Sequence, residues 1–110
     1  MFNRIDLIQK MINKLNAKIY LEIGVFNGFL FLNVKCQKKI GVDPIFKINK
    51  TKKIKSFINN LTNINNEYYE MTSDDFFVFH KQKLILNPPK VIFIDGLHTL
   101  DKLYKIAIIV

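Results

Sequence analysis

The stretch "YLEIGVFNGFLFLNVKCQKKIGVDP", residues 20–44, holds residue types whose spacing could do chemistry. Gly24 and Gly28 bracket a turn after one apolar run, and Asp43 closes a second apolar run nineteen residues beyond Gly24. Glycine at such a turn admits positive φ and lets a ligand approach the main chain to van der Waals contact. Glu22, beside the turn, would repel a diphosphate and would suit a ligand carrying an ammonium or sulfonium group. Asp43 can accept hydrogen bonds from both hydroxyls of a ribose, the role of an acid about twenty residues past the glycines in nucleotide-binding sheets. The alternative for Asp43 is a turn-former ahead of Pro44. The dinucleotide fingerprint G-x-G-x-x-G is not matched, because Phe26 stands where its second glycine would be.

These residues need elements to position them. Ile5, Ile8, Met11, Ile12 and Leu15 recur at spacings of three and four, which predicts an amphipathic helix ending near Asn16. "KIYLEIGV" reads as a buried strand, "FLFLNV" opens a short helix, and "KKIGVDP" is a second strand stopped at Asp43-Pro44. Residues 50–61 are weakly helical, "NNLTNINN" is a loop and "EYYEM" a third short strand. "TSDDFFVFHK" starts a helix, with Thr72 or Ser73 as N-cap and acids in the first turn. After the break at Asn87-Pro88-Pro89, "KVIFIDG" is the clearest strand, and "HTLDKLYKIAIIV" reads as the start of a helix. Alternation of strands with helices implies a doubly wound, mostly parallel α/β sheet in a single domain, residues 1–110. Ligands bind such sheets beyond the carboxyl ends of the strands. Residues 22–28, Asp43, residues 72–75 and residues 95–98 all fall at those ends.

With these positions in place the chain resembles the class I S-adenosylmethionine-dependent methyltransferases, whose fold is Rossmann-like. "LEIGVFNG" looks like their E/D-x-G-x-x-x-G loop and "IGVDP" like the acidic end of their second strand. "VIFIDGLHT" is similar to the fourth strand of a branch that methylates hydroxyls of sugars and other small molecules. The resemblance implies S-adenosylmethionine as cofactor, with Gly24 and Gly28 shaping the loop around its aminoacyl part and Glu22 near its ammonium. Asp43 would hold the ribose hydroxyls, and Thr72, Ser73 and Asp74 would lie near the adenine edge. Asp95 would face the methyl-transfer region, and His98, of a residue type whose pKa can lie near neutrality, would take a proton from the acceptor hydroxyl. No metal site is expected.

The match departs from the family at two places. The fourth-strand motif usually continues D-G-x-H-x-Y, followed by an acid in the next helix, where this chain has Leu100 and Ile106. The family sheet has seven strands, and the sequence ends at Val110 after the fourth, so the fold is expected to be incomplete at its C-terminal side. A terminal helix ending "KIAIIV" and an open edge on the fourth strand would expose apolar surface and unpaired backbone. They imply a homodimer or a separate C-terminal half as partner. A non-catalytic fragment or pseudoenzyme that only binds the cofactor is the alternative to an active enzyme.

Composition narrows the remaining classes. Nearly half of the 110 residues are apolar, enough for one core. The formal charge of +8 raises nucleic acid or an anionic membrane as partners. Apart from Arg4, however, every basic residue is lysine, and arginine forks are what specific phosphate and base contacts use. Nucleic acid and membrane are therefore not expected partners, although "KINKTKKIKSF" leaves a lysine-rich nucleic-acid-binding module as a rival. Cys36 is alone, which excludes an intrachain disulfide and a cysteine-based zinc site. "MFNRIDLIQKMINK" lacks the continuous apolar run of a signal peptide, and no segment has the length of a membrane span, so a cytoplasmic location is expected.

Overall fold

A computed structural model describes residues 3–96 and 103–108. Helix α1, Arg4–Leu15, begins where the Asn3 side chain accepts from the Ile5 amide at 2.9 Å, and it ends at Asn16, which turns into the left-handed region at φ 51°. Both ends follow from the chemistry of asparagine, which caps orphan amides and tolerates that conformation. Strand β1, Ile19–Ile23, leads into the short helix α2, Phe29–Asn33, and then into strand β2, Lys38–Asp43. Helix α3, Lys50–Asn59, runs into a 3-10 turn at Leu61–Asn65 and strand β3, Glu67–Glu70. Two short helices follow, α4 at Ser73–Phe79 and α5 at Lys81–Leu86, before strand β4, Val91–Gly96. Thr72 is the α4 cap, its hydroxyl accepting from the Asp75 amide at 3.2 Å.

The strands lie in the order β3-β2-β1-β4, all parallel, with a fifth strand β5, Leu103–Ile108, antiparallel on the outer side of β4. The chain is thus an α/β protein with a doubly wound, Rossmann-like sheet. Successive residues of β1 face opposite sides. Tyr20, Val91 and Phe93 pack with Ile8, Ile12 and Phe31 of α1 and α2, while Leu21, Ile40 and Val42 pack with Phe76 of α4. Burial on both faces is why β1, β2 and β4 read as near-continuous apolar runs.

The segment after β4 corrects the sequence reading. Residues 103–108, expected in a helix, form β5 and pair with β4 from Val91↔Ile108 to Gly96↔Leu103. The isoleucines there favour a pleated strand, and β4 offers a ladder that no local helix signal can represent. β4 is consequently an interior strand, and self-association through an open β4 edge has no edge to use. Among the described residues, no helix is long and apolar enough to cross a membrane.

Candidate functional site

The β1–α2 loop is shaped by three residues with positive φ, Gly24 at 87°, Phe26 at 56° and Gly28 at 80°. Gly24 is required twice over, since a Cβ at that position would stand 2.6 Å from the Asp95 carbonyl oxygen. Its amide donates to the Val42 carbonyl at 2.8 Å, so the loop leaves β1 while still tied to β2. Phe26, at the place where a dinucleotide fingerprint carries glycine, adopts a conformation that disfavours non-glycine residues by about 1–2 kcal/mol. Its amide donates to Asp43 Oδ2 at 2.8 Å, and its carbonyl accepts from the Lys47 amide at 2.9 Å. These bonds hold the strained turn in place.

Asp43 ends β2 and serves both neighbouring loops. Its Oδ1 accepts from the Ile45 amide at 3.0 Å, beyond Pro44, while its main-chain oxygen accepts from the Met71 amide at 3.0 Å and brings the entry to α4 alongside. The turn-forming alternative for Asp43 is met by the Ile45 bond across Pro44. A carboxylate has about four lone-pair sites, and at Asp43 the Phe26 and Ile45 amides occupy two of them.

A cleft of about 380 Å³ opens above the strand ends, within the range for small-molecule sites. Gly24, Asp43 and Asp95 come from β1, β2 and β4, and Phe26, Ile45 and Lys47 complete the wall. Asp95 lies 3.7 Å from the Arg4 guanidinium, which anchors the start of α1 beneath β4. Among the described residues, the cleft therefore carries two carboxylates, of which Asp95 is paired with Arg4, and the ammonium of Lys47 among apolar walls.

The remaining expected site residues fall elsewhere. Glu22 is 1% exposed and does not line the cleft; Tyr20 donates a 2.8 Å hydrogen bond to its Oε1. Burial pushes the Glu22 carboxyl up to about 8, against the lowering effects of the Tyr20 hydrogen bond and the Lys39 charge. Gly28 caps α2 and does not line the cleft. Thr72, Ser73 and Asp74 form the start of α4, next to Asp43 through the Met71 bond but outside the cleft lining. His98 lies outside the described residues. His80 packs against Tyr69 and Phe76, at ring distances of 4.5 and 5.1 Å, as a packing residue.

Sequence reasoning missed Lys47, Ile45 and the buried Lys39. The Lys39 ammonium donates to the Phe31 and Val34 carbonyls and to Asn63 Oδ1 at 2.5–2.6 Å. Burial lowers its pKa to about 7, yet satisfying three acceptors takes the three hydrogens of the protonated amine. A lysine inside an apolar strand run was the available signal. Among the described residues, no group of three or more histidine, cysteine, aspartate or glutamate side chains could hold a metal ion. No family model matches this chain, and no curated protein matches it either.

Proposed function

We propose that the chain is the S-adenosylmethionine-binding part of a methyltransferase that acts on a hydroxyl of a small molecule or sugar. The observation that carries this reading is the meeting of Gly24, Asp43 and Asp95 on one cleft, at the carboxyl ends of β1, β2 and β4. β1 lies between β2 and β4, so the strand order reverses there, which is the position that ligands of doubly wound sheets prefer.

The donor set fits the cofactor better than it fits a dinucleotide. Asp43 retains acceptor capacity for two ribose hydroxyls, and Lys47 has the charge to meet a carboxylate. No arginine lines the cleft to neutralise a diphosphate. Glu22, whose carboxyl burial pushes up to about 8, lies outside the cleft lining and is not assigned to the ammonium. When bound, S-adenosylmethionine supplies an activated methyl group on a sulfonium sulfur. The chain's own contribution is positioning. Asp43 fixes the ribose end, the Gly24 turn lets the ligand lie against the backbone, and Asp95 faces the acceptor side. His98 keeps the role that the resemblance implies, acceptance of the hydroxyl proton.

Calorimetric titration with S-adenosylmethionine, and separately with NAD, tests the reading. Saturable binding of the first alone is expected, weakened about tenfold or more in Asp43→Asn through loss of a charge-assisted hydrogen bond. Equal binding of NAD, or no binding by a chain whose circular dichroism shows it folded, contradicts it.

A further inference from the structure

Helix α3 contributes no buried residue to the core. It is tied to the body on one side only, where Lys52 Nζ donates to the Asn27 carbonyl at 2.9 Å and the Lys53 ammonium sits 3.9 Å from the Tyr68 ring centroid. The opposite side presents Ile54 and Ile58, one helical turn apart, and the following 3-10 turn adds Leu61 and Ile64. All four are between 61% and 79% exposed. Scattered apolar residues on a surface are ordinary, but four on one continuous segment are a feature.

Lysines surround this stripe. Lys50 lies four residues before Ile54, and Lys55 three before Ile58, so both flank the isoleucines on the helix surface. Among the described residues, neither ammonium has a hydrogen-bond or ion-pair partner. From Pro44 to Asn66 the sequence carries Lys47, Lys50, Lys52, Lys53 and Lys55 and no acidic residue at all. Beside the stripe, a cleft of about 630 Å³ between α2 and α3 is lined by Lys35, Lys52 and Lys55 with the amides of Asn33, Asn49 and Asn59. Lys55 belongs to both features.

Against the expectation drawn from the scarcity of arginine, we propose that this face docks peripherally on an anionic lipid bilayer, with Ile54 and Ile58 at the acyl boundary and the lysines among phosphate headgroups, where diffuse attraction needs no arginine fork. Exposed aliphatic side chains gain from leaving water for that boundary, while each lysine near an anionic surface contributes attraction. A nucleic acid would use the lysines but leave the isoleucines without a role. Bases stack on aromatic rings and on arginine, and the outer side of α3 offers neither. The proposal rests on α3 and its cleft and is independent of the cofactor reading.

Vesicle flotation of the full chain tests it, with phosphatidylcholine alone and with about a third of the lipid replaced by phosphatidylserine. The chain is expected to float only with the anionic vesicles. Ile54→Ser/Ile58→Ser and Lys50→Glu/Lys55→Glu should each weaken partitioning by about tenfold or more. Because the chain contains no tryptophan, Ile58→Trp adds a single reporter whose emission should shift to the blue with anionic vesicles. The proposal is overturned by unchanged emission, by undiminished flotation of the serine variant, or by a single-stranded oligonucleotide that outcompetes the vesicles for the wild type and the serine variant alike.

Discussion

Burial of the Glu22 carboxyl makes stability depend on pH in a defined direction. Its pKa rises from 4.5 to about 8 on folding, chiefly by desolvation, so between those values the folded state binds more protons than the unfolded one. Stability from this group is fully present below about pH 4.5 and is lost as pH rises towards about 8. Lys39, lowered to about 7, acts with the opposite sign from about a unit below that pH upward, which leaves about pH 5 to about pH 6 as the window where it does not oppose Glu22. Urea unfolding across that window should show stability falling with rising pH in the wild type and a flattened dependence in Glu22→Gln; an unchanged slope in the variant would show that another group is responsible. Gly24→Ala is a second residue-scale test. With φ at 87° and a Cβ 2.6 Å from a backbone oxygen, the substitution should destabilise by about 2 kcal/mol or more, read as a lower urea midpoint. A wild-type midpoint would mean that the β1–β4 gap relaxes freely. The sequence made the glycine turn and Asp43 legible because they follow a local spacing. It hid the state of Glu22, since the acid's burial depends on helices packed over it from distant positions, and it hid Lys39, whose acceptors sit on α2 and the 3-10 turn.

At the scale of elements, local signals and tertiary pairing have separate domains of authority. Asn3 and Thr72 cap their helices where their side-chain chemistry predicts, and the apolar runs of β1, β2 and β4 became strands. The start of α4 was legible from Thr72 and the acids after it, but its break at His80 and the separate α5 were not, because no glycine or proline marks them. β5 was read as a helix because its register belongs to β4 and leaves no local trace. Pairing on both sides gives β4 a specific signature. Hydrogen exchange should find amides across Val91–Gly96 protected, and amides of β5 protected in the alternating manner of an antiparallel edge strand. Uniform protection through 103–108, without alternation, would restore the helix and return β4 to the sheet edge.

For the whole molecule, strand order is what converts scattered residues into a site. The crossover pattern was readable from the alternation of elements, and it correctly sends the ends of β1, β2 and β4 to one rim. What the pattern could not supply is depth. Glu22 and Asp43 both lie at strand ends, yet the first is buried outside the cleft lining while the second reaches the cleft wall. Charge is distributed with the same independence from local sequence. The lysines of α3 border an aliphatic ridge on one flank of the sheet, whereas the cleft above the strand ends mixes both signs. Two surfaces with different chemistry therefore coexist, and a titration that reports location separates them. Amide NMR of the isotopically labelled full chain during addition of S-adenosylmethionine is that measurement. The expected result is a saturable set of shifts centred on Gly24, Phe26, Ile45 and Lys47. Shifts confined to the Lys52 and Lys55 cleft, or none at all in a folded chain, would contradict the assignment of the strand-end cleft as a cofactor site.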